Sequence, residues 1–210
     1  MPLVLQPADE ADAPRIVEIE RLAYASNPLQ PILFPGPFPP QAKDERAEGL
    51  IKQLHEDPTV RWVKALDTET GEIAAFAKWN IIEEPREPSR GRQFGPGCNV
   101  EACEEFFGGI HRKRNDLMGG KAYCCELTLH GLAALTDPKY QGRGAGGKLI
   151  QWGLDIADEL HLPTYLESSP AAHGLYQKFG FRDIDKLTLD PRWDYGSADA
   201  SIYFMLREAK

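Results

Sequence analysis

Apolar positions recur along this chain with two periods, which predict two kinds of element. Alternating or continuous apolar runs, bounded by turn residues, predict β-strands. The predicted strands are Leu3–Gln6, Val60–Leu66, Ile73–Ile82, Tyr123–Thr136, Thr164–Glu167, Arg182–Leu189 and Ser201–Leu206. Apolar residues three and four apart predict helices. The predicted helices are one through Ile16, Ile19, Leu22 and Ala23, then Gln41–Glu56, a helix around Val100–Ile110, Gly142–Leu160 and Ala171–Phe179.

Two stretches break this pattern. Prolines recur between Pro28 and Pro40, so we predict neither a helix nor a central strand there. A stiff connector or the wall of a ligand pocket would suit this composition, and a Pro-rich partner motif is a third interpretation. The stretch from Glu83 to Lys121 is rich in charge, Gly and Pro. Its basic tetrad, His111–Arg114, is expected at a solvated helix end.

Length and composition limit the function classes. With 210 residues, the chain predicts one domain or a tight two-lobed one. The net charge of −8 argues against broad binding to nucleic acid, which needs a basic face. No apolar run reaches the roughly 18 residues that span a bilayer, and the N-terminus does not resemble a signal peptide. We therefore expect a cytoplasmic protein with no membrane partner.

The segment from Gln141 to Lys148, Gln-Gly-Arg-Gly-Ala-Gly-Gly-Lys, joins a predicted strand to a predicted helix. It matches three phosphate-binding patterns at once. All three depend on glycines that let the backbone approach a phosphate, and on helix N-terminal amides that point at it. The sequence therefore supports a phosphate group here more strongly than any one ligand.

Two of the three patterns fit only in part. As a P-loop the segment lacks its magnesium ligand, because Leu149 stands where Ser or Thr is needed. As a dinucleotide fingerprint, Gly142, Gly144 and Gly147 have the right spacing, and Glu167 follows twenty residues later. However, a Pro-Lys-Tyr tripeptide separates the strand from the glycines, and too little chain follows for a doubly wound sheet.

The third pattern is acyl-CoA binding, and two motifs carry a family resemblance. Pro138–Gly146, Pro-Lys-Tyr-Gln-Gly-Arg-Gly-Ala-Gly, is similar to the Q/R-x-x-G-x-G/A signature of the GNAT superfamily of N-acetyltransferases. Leu175–Phe181, Leu-Tyr-Gln-Lys-Phe-Gly-Phe, resembles that family's Leu-Tyr and Gly-Phe element. The order and separation of the motifs also match. One departure is Ser169, where the family often has Asn.

The resemblance implies an α+β (α/β) fold with a mixed, mostly antiparallel central sheet flanked by helices. It implies one N-acetyltransferase domain over residues 1–210, a cofactor-binding core at 124–181, and an insertion at 83–121 between the third and fourth strands. Acetyl-CoA would be the acyl donor, with no metal. The residues expected to contact it are Ala134, Leu135, Thr136, Gln141, Gly142, Arg143, Gly144, Ala145, Gly146, Gly147, Ser169, Ala172 and Tyr176.

The resemblance also implies two catalytic residues. An amine with a pKa of about 10.4 is mostly protonated at neutral pH, so a base is useful. His130 lies where related enzymes place a Glu or His base, and the ordinary pKa of His suits that task. Glu126 or Thr128, on the same strand face, would orient it. Tyr176 would protonate the CoA thiolate.

The acceptor is expected to be a small-molecule amine. Tyr24, Phe34 and Trp79 are candidates to contact it, although each could instead be a core residue. The acidic surplus could attract a cationic acceptor. The open alternatives are an acyl-CoA-binding regulatory module without turnover, a protein-lysine acetyltransferase and, more distantly, a dinucleotide-binding protein. A homodimer is possible.

Overall fold

The computed structural model of the chain describes residues 2–87, 93–126 and 134–210, apart from the side chains of Glu126 and Ala134. Its strands are β1 (Leu3–Pro7), β2 (Val60–Asp67), β3 (Ile73–Ile82), β4 (Tyr123–Glu126), β5 (Ala134–Thr136), β6 (Thr164–Ser168), β7 (Arg182–Thr188) and β8 (Ser201–Arg207). Its helices are α1 (Ala13–Tyr24), α2 (Gln30–Leu33), α3 (Ala42–Glu56), α4 (Val100–Cys103), α5 (Gly109–Met118), α6 (Ala145–Glu159) and α7 (Pro170–Lys178).

All eight strands form one sheet. Its order is β1-β2-β3-β4-β6-β8-β7, and β5 pairs with β3 beside β4. The β4–β6 pair is parallel, and the other pairs are antiparallel. The expected mixed, mostly antiparallel sheet flanked by helices is therefore confirmed.

The strand predicted over Tyr123–Thr136 is described as two pieces, β4 and β5, and its middle lies outside the described residues. Both pieces pair with β3, through Trp79↔Glu126 and Ala77↔Ala134. Lys78 is therefore the β3 residue that lies between the two pairings.

Each face of the sheet has its own helical layer. On one face, α6 and α7 pack over two clusters that include Leu149, Leu154 and Tyr176. On the other face lie α1, α3 and the helices between β3 and β4. Cys124 and Cys125 belong to clusters on opposite faces, as expected for neighbours in a strand.

The segment between β3 and β4 is more helical than its composition predicts. A π-helical turn, Glu104–Gly108, joins α4 to α5, so the helix continues to Met118. The basic tetrad His111–Arg114 is therefore inside α5 and not at a solvated helix end. The side chain of Arg114 is only 20% exposed, because it forms an ion pair with Glu167 on β6.

The proline-rich stretch was expected to contain no helix, but it contains the single turn α2. Pro31 lies in the first turn, where a helix needs no amide donor, so proline is tolerated there. The glycine-rich turn differs in the opposite sense, because α6 begins at Ala145 and not at Gly142. Gly142 and Gly144 have positive φ angles, +75° and +80°, which are incompatible with a right-handed helix.

No helix in the parts of the chain that the structure describes is long and apolar enough to cross a membrane.

Candidate functional site

The glycine-rich turn, residues 141–147, forms an open cradle at the start of α6. A Cβ placed on Gly142 or Gly144 would meet no other atom within 4 Å, so the backbone here is accessible. The first hydrogen bond of α6 runs from the Lys148 amide to the Gly144 carbonyl, at 3.1 Å. The amides of the first helical residues have no helical acceptor and remain available to an anion.

The turn is tied to the rest of the fold by Asp137, which immediately follows β5. Its amide donates to the Ala74 carbonyl at 3.0 Å, and its carboxylate accepts from Arg15 on α1 at 2.5 Å. Burial alone would raise the Asp137 pKa, but the hydrogen bond and charge of Arg15 outweigh it and hold that pKa below its ordinary value. The anchoring carboxylate is therefore ionised at neutral pH.

Two cations next to the turn, Lys139 and Arg143, have different neighbours. Lys139 forms an ion pair with Glu72, which also accepts from the Tyr140 hydroxyl at 2.9 Å. Arg143 is exposed and lies over the Tyr140 ring, 5.2 Å from its centroid. Arg143 is therefore an accessible cation between two glycines of the cradle. An arginine and several amides form a favourable site for a phosphate.

β5 is the strand of the sheet that leads into the glycine-rich turn. Its residues pair with β3 along one edge, and no pairing of the opposite edge is found among the described strands. That edge faces the side of the sheet where β6 lies, because β4 precedes β5 and pairs with β6. An extended chain carrying amides can add to such an edge like another strand.

Ser169 directly follows β6 and is the N-cap residue of α7. Its Oγ is buried, accepts no capping hydrogen bond from α7, and has no hydrogen-bond partner in the described parts of the chain. Ala172 follows in the first turn of this helix and is partly buried. The structure therefore brings the predicted Ser169 and Ala172 contacts to the end of β6, next to the region that β5 faces.

Tyr176 is buried on the inner side of α7, with 2% of its surface exposed. It packs in a cluster with Leu166, Phe181 and Met205, and its ring meets Phe181 edge to face at 5.7 Å. Packing therefore fixes the ring whether or not the hydroxyl acts in catalysis. His130, the other predicted catalytic residue, lies outside the described residues.

Two of the three acceptor candidates line the same cavity. This acceptor cavity has a volume of about 300 Å³ and lies between the α1–α2 segment, the π-helical turn, the start of α7, and the loop before β8 with the first residues of β8. Its walls include Tyr24, Phe34, Phe106, Phe107, Ser169 and Asp199. Tyr24 also packs with Leu135 of β5, which connects the cavity wall to the predicted cofactor strand.

Three of these wall residues were not predicted from the sequence. Phe106 and Phe107 lie on the π-helical turn of the insertion, where the charged surroundings hid them. Asp199 lies in a loop before β8, and its carboxylate accepts from the Ser201 amide at 3.0 Å. Hydrogen bonds from Ser201 lower the Asp199 pKa more than burial raises it, so the cavity rim has a negative charge.

Trp79, the third acceptor candidate, is a core residue. It is fully buried between β3 and α6, in a cluster with Leu149 and Ala157. Its indole lies against Gly153 on the helix. No part of this side chain reaches the acceptor cavity, so the structure supports the core interpretation instead of acceptor contact.

A row of buried and half-buried charges lies on the face of the sheet that α3 and α5 cover, and no pattern in the sequence predicts it. This charged strip consists of Glu20, Arg46, Lys78, Arg114 and Glu167. Arg46 donates to both carboxylate oxygens of Glu20 at 2.9 and 2.8 Å. Arg114 does the same to Glu167 at 2.7 and 2.9 Å. Both carboxylate oxygens of Glu167 are therefore bonded to Arg114. In the dinucleotide interpretation Glu167 would instead have to bind a ribose, so the structure does not support that interpretation.

Comparison with known proteins agrees with this geometry. The model of the acetyltransferase (GNAT) family matches residues 27–181. Over 44 residues the chain is 46% identical to the probable acyltransferase SID5 of Ajellomyces capsulatus. The matched segment covers 21% of this chain and 32% of that protein. The chain thus spans about a third of this curated relative's length.

Two solved structures share the fold along their whole length. A protein from Corynebacterium glutamicum, described as histone acetyltransferase HPA2 and related acetyltransferase, has a TM-score of 0.64 and 22% identity, covering 100% of this chain and 98% of that one. The C-terminal condensation domain of Ebony, solved with β-alanyl-dopamine, has a TM-score of 0.70 and 13% identity, covering 100% of both chains. At these identities the likeness concerns the fold alone.

Proposed function

The chain belongs to the GNAT family of acetyltransferases, and we propose that it transfers an acetyl group from acetyl-CoA to the primary amine of a small, largely apolar molecule. The observation that carries this proposal is the acceptor cavity. It is lined by aromatic side chains and reaches Ser169, which lies on the expected path of the pantetheine arm. A cavity there can hold an amine next to the thioester.

The described residues fit acetyl-CoA. The open cradle of Gly142 and Gly144, with Arg143 between them, suits a pyrophosphate. The edge of β5 with which no described strand pairs suits the amides of the pantetheine arm, and the buried Oγ of Ser169 can satisfy one of their polar groups. When bound, acetyl-CoA supplies an acetyl thioester whose carbonyl carbon accepts the amine and whose thiolate leaves.

The catalytic roles follow from proton balance. The acceptor enters as an ammonium ion and must lose a proton before its nitrogen can attack, and we assign that proton to the His130 imidazole. A second proton must reach the sulfur as the carbon–sulfur bond breaks, and we assign it to the Tyr176 hydroxyl. The packing of Tyr176 against Phe181 holds its ring in one orientation, which favours such a transfer.

The shape of the acceptor cavity favours a small molecule over a protein. Its volume of about 300 Å³ is at the lower end of the range for small-ligand pockets. Phe34 and Phe107, whose ring centroids are 5.9 Å apart, can pack against an apolar or aromatic group. The ionised Asp199 at the rim favours entry of a cationic amine.

The test is a thiol-release assay with acetyl-CoA and a panel of arylalkylamines, polyamines, amino acids, aminoglycosides and lysine peptides. We expect the highest kcat/KM with an arylalkylamine. The proposal is wrong if calorimetry shows acetyl-CoA binding but no amine releases thiol, since the protein would then be a binding module. It is also wrong in its acceptor class if lysine peptides are the best substrates.

A further inference from the structure

A second cavity lies under α3 and α5, on the face of the sheet away from α6. This lysine cavity has a volume of about 180 Å³, and its walls include Gln53, Asp57, Lys78, Asn80, Arg86 and Glu87. It has no wall residue in common with the acceptor cavity. The glycine-rich turn does not line it either. Its polar groups are therefore separate from those assigned to acyl transfer.

Lys78 places an excess positive charge at this cavity. It is 7% exposed, and its ammonium donates to the Gln53 amide oxygen at 3.0 Å. The two carboxylates of the charged strip, Glu20 and Glu167, are each already held by both arms of an arginine. The strip thus has three cations and two anions, and a buried unbalanced charge is costly without a counter-ion.

Electrostatics support this view of Lys78. Burial and the positive charges of Arg46 and Arg114 together lower the Lys78 pKa to about 8, although Cys125 and Glu20 act in the opposite direction. The ammonium is therefore still the main form at neutral pH, but its burial away from water costs free energy. A carboxylate bound in the cavity would offset that free-energy cost.

Asn80 adds an unsatisfied acceptor to the same cavity. Its Nδ2 donates to Thr59 Oγ1 at 2.8 Å and approaches Asp57 Oδ2 at 3.4 Å, which fixes the amide orientation. Its Oδ1 is buried and accepts no hydrogen bond from the described parts of the chain. Lys78 and Asn80 are two residues apart on β3, so their side chains lie on the same face of the sheet.

We propose that the lysine cavity binds a free α-amino acid, with its carboxylate on Lys78 Nζ and its ammonium on Asn80 Oδ1. The two charged ends of an α-amino acid are a few ångströms apart, which suits neighbouring groups on one strand face. Asp57 and Glu87 line the cavity and can attract the ammonium. Burial raises the Asp57 pKa, but hydrogen bonds from Thr59 and the charge of Arg86 lower it more, so Asp57 is ionised.

The same residues disfavour a phosphate or another dianion. Arg86 is paired with Asp57 at 3.2 Å, and Arg114 is paired with Glu167. The other charged wall residues are the cations Lys78 and Lys121 and the carboxylate of Glu87, which leaves one excess positive charge. This balance matches a zwitterion, which has one carboxylate, better than a doubly charged anion.

Calorimetry on the full chain without acetyl-CoA tests the proposal, using L-alanine, propionate, ethylamine and inorganic phosphate as probes. L-alanine should bind, and propionate and ethylamine should bind at least ~10-fold more weakly. Phosphate can bind at the glycine-rich turn, so any affinity for phosphate should be the same in wild type and in Lys78→Met. The proposal is overturned if L-alanine does not bind, if propionate or ethylamine binds as tightly, or if Lys78→Met loses phosphate binding. No acyl donor is present, so a failure of the proposed acetyl transfer would not change these outcomes.

Two variants identify the site. Lys78→Met keeps an unbranched side chain that is only one atom shorter and removes the buried charge, so it should fold and should weaken L-alanine binding at least ~10-fold. Lys52→Met removes the same charge from a position on α3 that is 70% exposed, and it should bind like the wild type. Equal affinity in Lys78→Met and wild type, or equal losses in both variants, would place the ligand elsewhere.

Discussion

Gly153 on α6 lies directly against the indole of Trp79 on β3. A Cβ added at Gly153 would lie 2.1 Å from Cε2 and 2.2 Å from Cζ2 of that ring, well inside contact distance. The helix can therefore approach the sheet this closely only because residue 153 has no side chain. The same helix begins at the glycine-rich cradle, so this contact also sets where the cradle lies relative to β5.

Gly153→Ala should destabilise the protein by about 2 kcal/mol or more, because either α6 or the rigid indole must move to make room. Gly49→Ala is the matched control, since Gly49 also lies inside a helix but a Cβ there meets nothing within 4 Å. That variant should be more stable by about 0.5–1 kcal/mol. Urea denaturation measures both. Equal effects of the two substitutions would contradict the close contact.

Arg114→Met should destabilise the protein by about 3–5 kcal/mol, because it leaves the Glu167 carboxylate buried at 3% side-chain exposure without its partner. Arg112→Met, two residues earlier on α5, removes a 62% exposed charge and should change stability by less than about 1 kcal/mol. Adding Glu167→Gln to Arg114→Met should recover much of the loss. No recovery in this double variant would mean that the pair is not the source of the effect.

Lys78 should make stability depend on pH in the alkaline range. Its pKa is 10.5 when unperturbed and about 8 in the fold. Between these values the unfolded chain holds a proton that the folded chain has lost, so stability rises with pH there, by about 3 kcal/mol in total. Below the folded value, both states are protonated and the full cost of the buried ammonium remains.

Lys78→Met removes this cost at every pH. It should therefore be more stable than the wild type at about pH 7, and this advantage should shrink towards about pH 10. Cys124, whose pKa burial raises to about 12, opposes the trend at high pH, but it is common to both proteins and cancels in their difference. A difference that does not vary with pH would show that Lys78 titrates at its ordinary value.

The predictable parts of this fold are those with local signals. The apolar run Ile73–Ile82 is a strand with the predicted bounds. The glycine-rich turn precedes a helix as expected, and the motifs gave the family. Helix ends were predicted less well. The positive φ angles of Gly142 and Gly144 delay the start of α6 to Ala145, and Pro31 is compatible with α2 because it lies in the first helical turn.

The remaining features depend on contacts between distant segments. Arg114 belongs to a charged tetrad that looks solvated, yet its partner Glu167 is 53 residues away. Lys78 lies in a mostly apolar strand, and only the approach of α3 and α5 shows that it is buried beside a cavity. Asp199 belongs to a polar loop with no pattern of its own. No local periodicity reports such pairings, so sequence reasoning could not find them.

Tyr176→Phe should reduce kcat for amine acetylation by a factor of about 100 or more if the hydroxyl protonates the leaving thiolate. Phenylalanine keeps the ring packed against Phe181, so stability and the Kd for acetyl-CoA should change little. Tyr203→Phe is the conservative control. It removes a hydroxyl that donates to Asp199 at 3.3 Å but has no assigned role in proton transfer, so kcat should stay close to that of the wild type. An unchanged kcat in Tyr176→Phe would leave Tyr176 with a packing role.

Asp199→Asn should raise KM for a cationic amine several-fold while leaving kcat nearly unchanged. Asp199 lines the acceptor cavity, and its lowered pKa keeps it charged at neutral pH, so it can attract an incoming ammonium ion. An exposed charge acts through solvent, so added salt should raise the wild-type KM and leave that of Asp199→Asn less affected. Initial rates at low and high salt measure this. If the two proteins respond equally to salt, the acidic surplus of the chain does not guide the acceptor.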